Sequence, residues 1–392
     1  MAEKRHVAVV VETSNSYARG ILRGIHDYAR TRGWTLYLTE HGRHEIDESF
    51  SGQWRFDGVI ARIETDAMAR IIAAMGVPTV DVSAARLIEG IPYVETDDEA
   101  ITRLALDHLR DCGLQNVAFF GDPFYKWSVW RQQSFERILG RPDILRSRIF
   151  NLPARKEPRV RWWTLRESIR DWLASLPKPV GVFACYDGCG QQLLEICRYF
   201  DFKVPEDIAV VGVDNDELLC ELATPSMSSA IPNTFKTGAC AAEILDRMMQ
   251  GEDIPGRKYS IEPLGVRKRV STDVLAVEDH HVAAAIAFIR QKAHENIRVE
   301  DVLRSVPLSR RVLEARFRRA LNRTPHEEIL RTRTNAVRQL LLETDMSLSD
   351  ISEALGIDHP EYLSAFFKKQ TGLTPREYRD QVRGRALLRI SG

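Results

Sequence analysis

Apolar and polar positions alternate between two periods along the first two-thirds of the chain. Val7 to Val11 is a β-branched run of the kind a buried strand needs. Tyr17, Ile21, Leu22, Ile25, Tyr28 and Ala29 then recur at helical spacing until Gly33. Trp34 to Leu38 returns to strand, Phe56 to Ile60 gives a third, and a helix over 66–75 leads to another strand from Pro78 to Val82. The alternation resumes with a helix from Glu99 to Asp111, a strand from Asn116 to Phe120, a helix from Trp127 to Leu139 and a strand from Arg148 to Leu152. Helix Trp162 to Ser175, strand Val180 to Ala184, helix Cys189 to Tyr199 and strand Ile208 to Val213 complete the series. Such β-α-β-α order predicts the α/β class, with doubly wound parallel sheets. There are enough units for two Rossmann-like lobes, which places a ligand cleft between them at the carboxyl ends of the strands.

Beyond residue 281 the period is helical only. Val282 to Lys292 is amphipathic. Val299 to Leu321 reads as a short helix, a turn at Val306-Pro307-Leu308, and a second helix with Ser309 as its N-cap. A long helix follows from Ile329 to Leu342, with Ala336, Val337, Leu340 and Leu341 inward. Ile351, Ala354 and Leu355 mark another short helix stopped by Gly356. Tyr362, Leu363, Phe366 and Phe367 then share the apolar side of the next, which Lys368 and Lys369 close before Gly372 and Pro375. Two short helices around a tight turn form either a helix-turn-helix or an ordinary helical hairpin. Repetition favours the former. Val302-Leu303 corresponds to Ile351 and its neighbours, Leu313 to Leu363, Phe317 to Phe367, Asn322 to Gly372, and Thr324-Pro325 to Thr374-Pro375. The expected organisation is a two-lobed unit over 1–273, a linker over 274–281 and an all-α double helix-turn-helix unit over 282–392. The connecting stretch from Arg267 to His281 is short, so the two units are expected to be docked.

Composition modifies this picture in one respect. With 392 residues, 44% hydrophobic and 28% charged, the chain is a soluble multidomain protein, and its formal net charge of zero argues against nucleic acid. That average hides an asymmetry, because from Val274 onward there are 20 Lys+Arg against 16 Asp+Glu. Ten arginines and three acids lie between Arg304 and Arg338, across the first helix-turn-helix. This is a solvated face or a phosphate-binding footprint, and its position favours the footprint. Six cysteines without a C-x-x-C pair imply reduced thiols, and Cys185, Cys189 and Asp187 make a poor metal set; no metal is expected. No signal peptide and no membrane-length apolar run is read, so a cytoplasmic protein without a membrane partner is expected.

Residues 281–383, with ALGIDHPEYLSAFFKKQTGLTPREYR at their core, resemble the AraC-type DNA-binding domain. The resemblance implies promoter or operator double-stranded DNA as partner. Leu313 and Phe317 face inward in the first reading helix, which leaves Arg310, Arg311, Glu314 and Arg318 on the outward face. Arg310 and Arg311 are candidates for guanine edges and Glu314 for a cytosine amine. In the second helix His359, Glu361, Ser364 and Lys368 take the equivalent face. Many AraC-type proteins carry an arginine where Ala365 stands, so this helix is expected to read bases weakly and to hold phosphate through Lys368. Arg331 and Arg338 are expected to brace the long helix through Glu327, Glu328 or Glu343.

The first part carries a second resemblance. Val94-x-x-Asp97 followed by DHLRDCGLQNVAFFGD, then PVGVFACYD, then PEDIAVVGVDND and TPSMSSAIPNTFKTGACAAEIL, resemble the ligand-binding domain of the lactose-repressor family, which shares the fold of periplasmic sugar-binding proteins. That family's N-terminal DNA-binding segment is not found before the first strand. A buried sugar needs charged or amide partners for its hydroxyls and an aromatic ring for its apolar face. Strand ends supply Asn15, Tyr17 and Asp187. The resemblance adds Asp214 and Asn215 after AVVGV, and Arg131, with Lys126 and Trp127 close by. An arginine fork donates to two adjacent hydroxyls while the aspartates accept. Asp187 and Asp214 are alternatively caps of the helices that follow them.

The combination resembles the xylose operon regulators. It implies a D-xylose-responsive activator of xylose catabolism and uptake genes, with a monosaccharide effector, no other cofactor, a homodimeric assembly and contact with RNA polymerase. A regulator answering another monosaccharide has the same pattern. An enzyme, such as a glycosidase using Asp187 and Asp214, is disfavoured because no catalytic motif is found. A transport binding protein is disfavoured by the basic tail.

Overall fold

A computed structural model describes residues 4–38, 55–140, 142–153, 162–274, 277, 279–292, 295–321, 323–357 and 359–383. Asn322, matched above to Gly372, and residues 275, 276 and 278 of the linker lie outside them. The side chain of Glu343 is also outside the description.

The first lobe begins with β1 (His6–Val10), α1 (Ser16–Arg32), β2 (Thr35–Leu38), β3 (Gly58–Ala61), α2 (Asp66–Ala74), β4 (Thr79–Asp81) and β5 (Tyr93–Thr96). The chain then enters the second lobe through α3 (Asp98–Asp111) and β6 (Asn116–Gly121). It continues through α4 (Lys126–Leu139), α5 (Pro142–Arg148), β7 (Ile149–Asn151), α6 (Arg166–Ser175), β8 (Val180–Ala184), α7 (Asp187–Tyr199), β9 (Ile208–Val213), α8 (Glu217–Leu222) and β10 (Ser228–Ile231). Helix α9 (Thr234–Met249) and β11 (Lys258–Ile261) return to the first lobe, and β12 (Gly265–Arg267) to the second. The two sheets have the orders β11-β5-β4-β3-β1-β2 and β12-β10-β9-β8-β6-β7. All pairings are parallel except β10 with β12, where Ser229 faces Arg267. Three crossings therefore join the lobes, after β5, after β10 and between β11 and β12. They make the hinge.

The α/β expectation holds, and the strands missing from the sequence reading are those at the crossings. Strands β5, β10, β11 and β12 are only three or four residues long. Helix α9 packs along α1 at unusually close range. A Cβ on Gly24 would sit 2.0 Å from the Phe235 carbonyl oxygen, and one on Gly238 would sit 2.0 Å from that of Ile21. Only glycine admits this approach.

The remaining helices are α10 (His280–Gln291), α11 (Val299–Ser305), α12 (Arg310–Leu321), α13 (Pro325–Glu343), α14 (Leu348–Ala354), α15 (Pro360–Thr371) and α16 (Pro375–Arg383). Local chemistry sets their starts. Thr324 and Glu327 form a capping box with Pro325 in the first turn of α13, and Ser347 with Asp350 repeats the box at α14. Gly372 ends α15 in the left-handed region at φ 77°. The helices build two small cores. One joins Ile286, Val302, Leu313 and Phe317. The other joins Val337, Leu341, Ile351, Leu363, Phe367 and Tyr378, and also takes in Ile231 and Leu264 from two of the hinge crossings.

Two apolar expectations fail here. Tyr362 is 59% exposed and Ala354 is exposed, because the inward arc of each short helix is filled by Leu363, Phe366 and Phe367, or by Ile351 and Leu355. Tyr362 instead stacks on Phe366 with ring centroids 6.5 Å apart.

Candidate functional site

A cavity of about 120 Å³ opens between the lobes at the carboxyl ends of the strands. Asn15, Tyr17, Trp127, Arg131, Asp187 and Asp214 line it. The structure sets Lys126 and Asn215 elsewhere. Lys126 faces a neighbouring hollow at the mouth, beside Glu64, Asp66 and Phe124, since it stands about 100° around α4 from Trp127. Asn215 faces a separate hollow with Arg19 and Arg23. Asp214 (φ 110°), which lines both hollows, and Asn215 (φ 47°) both have positive φ. The Asn215 backbone N–H donates to Ser229 Oγ at 2.9 Å.

Polar residues absent from the sequence expectation also line the cavity, among them Arg62, Glu95, Thr96 and Asp98. The rule that selected Asn15 and Asp187, a polar residue just past a strand, fits Arg62 after β3 and Asp98 after β5. Arg131 is 4% exposed, its Nε donating to Asp98 Oδ1 at 2.9 Å and its Nη1 to the Cys185 carbonyl. Its guanidinium carbon lies 5.0 Å from the Trp127 ring centroid. Tyr125 stacks on that ring at 4.8 Å and 13°, so Trp127 is braced by other groups rather than left as an open platform. Arg62 donates to Glu12 and Glu64 and lies 5.2 Å from the Tyr17 ring centroid, while Tyr17 Oη meets Thr96 Oγ1 at 3.2 Å. Asn15 acts one step back. Its Oδ1 accepts from Ala18 N–H to start α1, and its Nδ2 donates to Glu12.

Neither Asp187 nor Asp214 caps a helix through its side chain. Tyr186 is the N-cap of α7 without a side-chain bond, and Asp216 caps α8. Asp187 instead accepts from Ser229 Oγ at 2.6 Å and from Asp216 N–H at 2.8 Å, which fixes the loop that presents Asp214. Burial, and then the neighbouring Asp214, push the Asp187 carboxyl far above its ordinary value. Burial raises Glu95 and Asp98 as well, with Arg86 and Arg131 respectively pulling against it. Burial alone would lower Arg131, but Asp98 and Asp214 outweigh it and keep the guanidinium charged. Among the described residues, Arg62 Nε and Glu95 Oε2 are buried without a hydrogen-bond partner. Fixed donors and acceptors on both walls suit a neutral, hydroxyl-rich ligand, which satisfies buried polar atoms without adding a charge. No group of three or more potential metal ligands occurs among the described residues.

On the helical part, α12 buries Leu313 and Phe317 and turns Arg310, Arg311 and Arg318 outward. Arg310 is tied to Glu314 at 3.0 Å and to Glu300 at 3.1 Å. Among the described residues Arg311 and Arg318 make no ion pair. Exposed pairs like those of Arg310 are weak and exchange readily for a phosphate or a base edge. On α15, His359, Glu361 and Lys368 are exposed and Ser364 is half-buried; Ala365 is exposed beside them. Arg331 does bind Glu328, as expected, but it also reaches Asp111 of the two-lobed part.

Residues 6–99 match the XylR N-terminal domain, residues 106–272 a periplasmic binding protein-like domain, and residues 302–381 a helix-turn-helix domain. The xylose operon regulatory protein of Escherichia coli (strain K12) is 30% identical across 97% of this chain and 98% of its own length. That of Haemophilus influenzae is 29% identical across 95% and 97%. The solved structure of the xylose-binding transcription activator XylR superposes with a TM-score of 0.62 at 28% identity, over 97% of this chain and 98% of that one. These relatives are transcription regulators. Among the described residues, no helix is long and apolar enough to cross a membrane.

Proposed function

The chain belongs to the family of xylose operon regulatory proteins, and from that premise we propose that D-xylose is the effector held in its inter-lobe cleft. It is a sugar-responsive, DNA-binding transcription regulator of xylose genes. Likeness to one relative along both the sugar-binding and the helix-turn-helix parts carries the reading. The division at 1–273, 274–281 and 282–392 separates the two tasks. Arg131 and Asp214 meet hydroxyls from the second lobe, Glu95, Arg62 and Tyr17 line the first-lobe wall, Asp98 stands where the chain crosses between them, and Asp187 and Asn15 hold their neighbours in place. Arg311 and Arg318 meet DNA first, with Arg310 and Glu314 following once their mutual pair opens, and His359, Glu361, Ser364 and Lys368 hold the adjoining segment. The protein acts in the cytoplasm as a homodimer, activates catabolic and uptake genes, and engages RNA polymerase. Sugar favours the closed arrangement of the lobes, and the response is limited by how strongly it prefers that arrangement.

A mobility-shift titration of a xylose-gene promoter with and without D-xylose tests the switch. Identical affinity and band geometry in both series would reject it. Calorimetry on Asp214→Ala is expected to show lost sugar binding, while sugar-independent DNA affinity stays as in the wild type. Sugar binding at undiminished affinity would remove Asp214 from the site.

A further inference from the structure

One helix connects the sugar cleft to the DNA-reading half. Asp98, in the first turn of α3, holds Arg131 in the cleft. Asp111, the last residue of the same helix, is gripped by two arginines of the other half: Oδ1 accepts from Arg323 Nη1 and Oδ2 from Arg331 Nη1. Glu328, fully buried, accepts from both arginines and locks them side by side. Arg323 sits in the turn between α12 and α13, and Gln115, just past α3, donates to the Ala320 carbonyl near the end of α12 at 2.9 Å. Fourteen residues at ~1.5 Å each make α3 a rod of about 20 Å. Its inner face, through Ile101, Ala105, Leu106 and Leu109, is set in the core of the second lobe, so it moves only with that lobe. The second helix-turn-helix is anchored across the hinge: Ile231 and Leu264 meet its core at the second-lobe ends of two crossings, and Asn233, the N-cap of α9 in the first lobe, donates to Gln381 at 2.8 Å.

We infer that Asp111 is a positioning residue, through which α3 carries the disposition of the sugar-holding lobe to the first reading helix. The inference rests on the sugar-binding reading of the cleft. Two anchors on different bodies, Asp111 on the second lobe and Asn233 at the start of α9 on the first, cannot both stay fixed when the lobes rotate about the hinge between them. Rotation therefore changes the angle between the two helix-turn-helix units. A carboxylate gripped by two guanidiniums suits this task, because it is directional and breaks as a unit.

The test uses the full chain, D-xylose and a xylose-gene promoter fragment. Operator affinity is measured by anisotropy with and without sugar, and sugar affinity by calorimetry. For Asp111→Asn the sugar-dependent ratio of operator affinities is expected to fall to within about twofold of unity, with sugar affinity in the absence of DNA changed by less than about twofold. Asp111→Glu is expected to restore part of the ratio, which a purely structural role would not produce. An Asp111→Asn protein that keeps the wild-type ratio overturns the inference while leaving the sugar reading intact. A wild-type protein that ignores D-xylose in both assays removes the sugar reading, and this inference with it. Should Asp111→Asn melt below the assay temperature, Arg323→Gln weakens the same contact from the other side and is judged by the same ratio.

Discussion

Asp81, one residue before the cleft-lining Val82, shows how the support behind the cleft is made at the scale of single residues. It is 1% exposed, ends β4, and faces the Ile63 and Ser83 amides at 3.3 and 2.8 Å and the Ser83 hydroxyl at 3.0 Å. Burial lifts its carboxyl from an ordinary 3.8 to about 7, against the pull of those donors. A carboxyl raised in the folded state lends stability that is complete below its unfolded value and is lost as pH climbs through about 7. Asp81→Asn keeps an acceptor for the two amides and stays neutral. It is expected to raise stability at pH 8 by on the order of 3 kcal/mol and to change little at pH 4. Thermal melts at the two pH values check this, and an equal shift at both would rule out the ionisation argument. The same burial explains what could not be read from the chain. Asp214 stands at a strand end and Arg131 in a recognisable phrase of α4, so they were legible. Arg62 and Glu95 look like surface charges until their partners are known, Glu12 lying fifty positions before Arg62 and Arg86 nine before Glu95.

At the scale of elements, helical period located every reading helix but did not set its rotation. The inward arc was right for Leu313, Phe317, Leu363 and Phe367, all fully buried. Tyr362 and Ala354 sit at the edge of that arc, where an apolar residue can face either way and only packing decides. The outward arc of α12 supports a direct expectation. Arg311→Ala is expected to weaken operator binding by about 1–3 kcal/mol and, if the contact is to phosphate, to reduce the salt slope by about one. Sugar affinity should not change. Binding titrations at several salt concentrations measure this, and unaltered affinity with an unaltered slope would remove Arg311 from the interface. The α1–α9 seam is a second case. Gly24→Ala places a methyl against the Phe235 backbone, where no side chain can yield. A loss of at least ~2 kcal/mol is expected in denaturant unfolding. A stability unchanged from the wild type would mean that the two helices part at little cost.

For the whole molecule, the two-lobed body and helical tail were legible because each has its own period, and the repeat of the helix-turn-helix made the tail unmistakable. Their mutual placement was not. It depends on Asp111, Ile231 and Leu264, none of which stands out in the chain from its neighbours, and on pairings more than two hundred residues apart. A short connector was enough to expect docking, but not to say onto what. The apolar share of that docking bears on attempts to rebuild the protein. Ile231 and Leu264 are 7% exposed in contact with a core whose other members all belong to the tail. Cut away at residue 281, the tail would present a bare greasy patch, and a sensor grafted from another regulator would meet it with whatever its own hinge displays. Chimeras designed to give this operator-reading half a new effector therefore need to import those two side chains along with the cut point.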